Sequence, residues 1–86
     1  MPEKQIETIL LRLISERGID KTICPSEAAI EIAGKQGDAW GALMPQVRKI
    51  SVRLANEGRL IVTRKGKQVD PNDFKGVYRL GMTRID

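Results

Sequence analysis

Eighty-six residues, 41% hydrophobic and 30% charged, predict one small globular domain spanning residues 1–86, because a shorter piece could not bury a core of its own. A single cysteine and no histidine exclude, within one chain, a disulfide framework, a zinc cluster and any Cys–His or Ser–His catalytic pair. The formal charge of +4 is unevenly spread: five Lys/Arg against seven Asp/Glu through Val47, then ten against four from Arg48 onward, a pattern that suits contact with a polyanion.

The chain opens Met-Pro-Glu-Lys and its early apolar residues are spaced rather than continuous. That is neither a signal peptide nor a membrane span, so a reduced, cytoplasmic protein is expected. Ile6, Ile9, Leu10, Leu13 and Ile14 recur at i, i+3, i+4, i+7 and i+8, the stripe of an amphipathic helix from about Glu3 to Arg17. Gly18 should end it in the left-handed conformation, with Ile19 folding over Ile14 as in a Schellman motif.

In "DKTICPSEAAIEIAG", Lys21 to Cys24 is short and extended. Pro25 bars its predecessor from the helical region, so Cys24 becomes the N-cap of a second helix, with Pro25 at the first and Glu27 at the third helical position. Ala28, Ala29, Ile32 and Ala33 give that helix a small-residue face, and Gly34 ends it. A helical turn at Asp38 to Ala42 precedes a third helix with Pro45 in its first turn, where the missing N–H costs nothing. At about 100° per residue, Val47, Ile50, Ser51, Leu54 and Ala55 share one side while Gln46, Lys49, Arg53 and Asn56 share the other, with Arg48 and Val52 near the edge. Gly58 stops this helix.

Arg59 to Thr63 alternates and is rich in β-branched residues, as a strand is. Lys65-Gly66 signals a turn or bulge, and Asp70-Pro71-Asn72-Asp73 a second turn. A further extended run, Val77 to Met82, completes an antiparallel hairpin with a long basic loop. Lys67 to Asp70 fits either strand or loop. Helix, short strand, helix, helix, hairpin is the order of an α+β winged helix-turn-helix: a three-helix core plus a C-terminal β-hairpin wing.

The stretches "TICPSE", "LMPQVRKISVRLANEGRLIVTRKGKQVDP" and "KGVYRL" resemble a family of small bacterial domains of unknown function, expected to be winged-helix-like. The resemblance runs from Ile9 to about Leu80, with "ICPSE", "LMP.VR" and "GR..VT..G..VDP" its most specific motifs. It implies a fold and carries no binding or catalytic residues.

Function is therefore read from residue chemistry. Arg and Lys suit guanine O6/N7 and Gln or Asn suits adenine N6/N7, so Gln46, Arg48, Lys49 and Arg53 form a candidate base-reading face on the third helix. The plain counterpart is a solvated polar face on a core helix. Arg64, Lys65 and Lys67, with Lys75 nearby, would lie along phosphates, or serve only loop solubility. Three aromatics (Trp40, Phe74, Tyr78) are too few for single-strand stacking, so the expected partner is double-stranded DNA. The alternative is a non-catalytic adaptor, since winged helices also bind proteins. A monomer is favoured over a homodimer because no dimerisation element stands out. No enzyme activity, cofactor or metal is expected. Cys24 lacks a histidine and fits structural capping, and Asp70 and Asp73 fit turn chemistry better than metal ligation.

Overall fold

The structure, a computed structural model, describes residues 3–19, 21–34 and 39–83. Helix α1 spans Glu3–Arg17 and buries Ile6, Leu10 and Ile14. It carries Glu3 in its first turn and Arg17 in its last, both favourable to the helix dipole. Its end departs from the expected Schellman form. The Gly18 N–H donates to the Ile14 carbonyl at 3.2 Å with Gly18 at φ 106°, a single αL-type closure, and Ile19 stays 52% exposed.

Strand β1, Thr22–Ile23, leads into helix α2, Pro25–Ala33. Cys24 is extended (φ −79°, ψ 134°) and caps α2 through its backbone: its N–H donates to Glu27 Oε2 at 2.7 Å, and the Glu27 N–H returns to the Cys24 carbonyl at 2.9 Å. The other Glu27 oxygen accepts from Arg17 Nη2 at 2.6 Å, so one carboxylate closes the start of α2 and holds the end of α1 against it. The Arg12–Glu31 ion pair adds a second tie between the two helices.

A 3₁₀ segment, Ala39–Leu43, runs directly into helix α3, Met44–Asn56, with Pro45 at the second helical position. The Asp38 end of the expected turn lies outside the described residues. Val47, Ile50, Ser51 and Leu54 are buried as the helical projection requires; the Ser51 hydroxyl is satisfied by the Val47 carbonyl at 2.7 Å. Helix α3, not α1, ends in the Schellman pair: Arg59 N–H to Leu54 O at 2.9 Å and Gly58 N–H to Ala55 O at 3.0 Å, with Gly58 at φ 77°.

Strands β2 (Ile61–Arg64), β3 (Lys67–Gln68) and β4 (Arg79–Gly81) complete an antiparallel sheet of order β1-β4-β2-β3. Lys65 and Gly66 both take positive φ (53° and 82°), so Arg64 and Lys67 pair across a two-residue, type I′-like turn. That assigns Lys67 and Gln68 to a strand. One sheet face, with Ile23, Val62 and Leu80 in register, packs into the core with the helices. Three helices closed by a four-stranded antiparallel sheet make an α+β fold compatible with a winged helix-turn-helix. Among the described residues no helix is long and apolar enough to cross a membrane.

Candidate functional site

The third helix and the hairpin are joined by the segment between β3 and β4, which lies on the flank of α3 instead of standing free as a basic loop. Arg48 holds it there: Nη2 donates to the Phe74 carbonyl at 2.9 Å, while the guanidinium sits 4.1 Å from the Phe74 ring centroid and 5.7 Å from that of Tyr78. The two rings pack together at 5.0 Å and, being buried, close the core at this corner. Farther along α3, Asn56 and Asn72 exchange amide bonds of 3.1 and 2.8 Å. Asn72 is itself fixed by its N–H to Asp70 Oδ1 at 2.9 Å, an Asx turn. Asp70 thus acts as turn residue, and among the described residues no group of three His, Cys, Asp or Glu is placed to hold a metal.

The helix residues of the expected base-reading face therefore divide. Arg48 sits at the edge of the projected face in sequence, but its guanidinium is committed to the aromatic corner. Arg53 is also engaged: it donates to Glu7 at 3.1 Å and to Glu57 at 3.0 Å, and these two hydrogen bonds raise its pKa above the ordinary arginine value. Arg59 joins the cluster, 3.0 Å from the same Glu7 oxygen. Gln46 is half-buried. Lys49 remains the outward cation, 77% exposed at its side chain, with only a 3.7 Å approach to Glu3. Val52, near the edge in projection, is half-buried against the core.

The hairpin residues stay together. Arg64 donates from Nε to the Val77 carbonyl at 2.9 Å and lies beside Gly76, where an added Cβ would come within 3.1 Å of Nη2. Gly76, at φ 84°, permits that approach. Lys75 consequently sits on a short bridge, with Arg48 gripping residue 74 on one side and Arg64 gripping residue 77 on the other. Lys65, in the turn, and Lys67, just after it, are exposed. None of Arg64, Lys65, Lys67 and Lys75 forms an ion pair with a described residue at 4.0 Å or less.

Sequence reasoning missed the Arg48 clamp and the Asn56–Asn72 pair. The available signal was the coincidence of an arginine on a helix flank with two of the chain's three aromatics in a later loop.

A scan against protein families matches residues 3–83 to one described as a protein of unknown function (DUF3253). No curated protein matches the chain. Since the match covers nearly all of the sequence, the chain belongs to this family of unknown function.

Proposed function

We propose that the protein is a cytoplasmic double-stranded DNA-binding winged-helix domain, a small regulator or accessory factor, that holds DNA chiefly by its phosphates. The observation supporting this reading is the run of cations Arg64, Lys65, Lys67 and Lys75, none ion-paired with a described residue, tied by the Phe74–Val77 bridge to the flank of α3 that exposes Lys49. Phosphate contacts position a protein without reading bases. With Arg48 and Arg53 held by internal partners, Lys49 is the exposed cation left on that face of α3, and discrimination among sequences should be weak.

If all five cations meet phosphate, the logarithm of affinity falls with the logarithm of salt at a slope of about −4 to −5. Fluorescence anisotropy of a random duplex across a salt series measures it. The adaptor alternative, docking through an apolar surface, predicts no such dependence on DNA or salt.

A further inference from the structure

The outward face of the sheet holds a cavity lined by none of the cations assigned to DNA. Ile23, Leu80 and Val62 turn inward, so their strand neighbours Thr22, Gly81 and Ile61 pair side by side on the opposite face. Gly81 leaves a gap in that row: a Cβ added there would meet Thr22 Cγ2 at 3.3 Å and Ile61 Cγ1 at 3.5 Å. These three residues, with Ile19, Lys21 and Arg79, border a cavity of about 240 Å³.

Arg79, outward on β4, reaches across to β1, where Nε donates to Thr22 Oγ1 at 2.7 Å and Nη2 to the Thr22 carbonyl at 3.1 Å. Both acceptors are uncharged, so the guanidinium is held in place with its charge unspent, and two of its five N–H groups are used, leaving three for a ligand. Lys21 is the second cation of the wall, and both it and Arg79 are exposed. Neither forms an ion pair with a described residue, and among the described residues no carboxylate lines the cavity. Ile19, which stays 52% exposed, joins Ile61 as its apolar side.

We propose that this cavity binds a small phosphomonoester, its phosphate against Arg79 and Lys21 and its carbon chain along Ile19 and Ile61. Two cations without a counter-charge suit a dianion: a phosphomonoester carries about −1.5 to −2 at pH 7, where a carboxylate or a phosphodiester carries a single charge. The volume, the liquid share of about eight waters, takes a phosphate with a few carbons. This site is independent of the DNA reading.

The probes are n-propyl phosphate and two monoanions, butyrate and dimethyl phosphate, the last standing for a nucleic-acid linkage, all at constant ionic strength. n-Propyl phosphate should shift the Arg79 Nε–H and Gly81 N–H resonances with one saturable midpoint, and either monoanion should bind at least about tenfold more weakly. Arg79→Gln should weaken n-propyl phosphate about ten- to hundredfold, read at Gly81, and Lys21→Gln about two- to fivefold. Lys65→Ala/Lys67→Ala should leave the midpoint unchanged, which separates a pocket from a general basic surface. No saturable shift up to tens of millimolar n-propyl phosphate overturns the proposal. So does a monoanion that binds as well, a folded Arg79→Gln or Lys21→Gln protein that binds unaltered, or a Lys65→Ala/Lys67→Ala protein weakened as much as Arg79→Gln.

Discussion

Arg48 and Tyr78 show how single residues decide what a surface can do. Arg48 is a clamp between α3 and the segment before β4, combining a charged hydrogen bond with stacking on Phe74. Arg48→Ala should lower unfolding stability by about 1–3 kcal/mol in urea titrations while leaving the salt slope of DNA binding nearly unchanged. Arg48→Lys should recover only part, because a lysine cannot both stack and donate in one plane. Tyr78 is the chain's only tyrosine, so tyrosinate absorbance reads it alone. Burial raises its pKa above the ordinary 10.0, hence the folded protein should titrate later than the urea-unfolded chain. The neutral hydroxyl's stabilising preference for the fold is whole below pH 10 and lost as pH rises through the folded value. Coincident folded and unfolded titrations would show that the hydroxyl is solvated. The sequence announces neither role: it sets Arg48 on an edge and leaves Tyr78 in a strand, since which ring meets which guanidinium depends on a loop closing back over 26 residues.

At the scale of elements, the helices were legible because periodicity and stop signals agreed. Helix α1 has the bounds that Ile6 to Ile14 and Gly18 imply, and Cys24–Pro25–Glu27 start α2 as their chemistry requires. Glycine position alone did not tell one ending from another. The Schellman bonds form after α3, where Arg59 closes back on Leu54, and not after α1. Gly58→Ala, forcing a Cβ into φ 77°, should cost about 1–2 kcal/mol in thermal or urea unfolding. The sheet was harder to read, because Thr22–Ile23 and Lys67–Gln68 are two residues each, too short for an alternating pattern. Yet Lys65-Gly66 was recognisable as a turn, and its positive φ pair invites a sharper test. Lys65→Asn gives the residue best suited to a type I′ turn and should stabilise the fold by about 0.5 kcal/mol while removing a wing cation. Stability and DNA affinity should then move in opposite directions.

Over the whole molecule, charge counted along the chain overstates the charge presented outward. The acidic first half meets the basic second half in space: Glu3 approaches Lys49, and Glu7 receives both Arg53 and Arg59. Among the described residues, Arg64, Lys65, Lys67 and Lys75 form no ion pair and lie together on the hairpin and its bridge, so the polyanion reading rests on the wing more than on the helix. The most direct measurement is therefore anisotropy of a random duplex over a salt series, wild type beside a Lys65→Ala/Lys67→Ala protein of unchanged melting temperature. The account predicts binding at low salt with a slope of about −4 to −5, shallower by about 2 in the double variant. Absence of binding at tens of micromolar protein in low salt, or equal slopes for the two proteins, would contradict it.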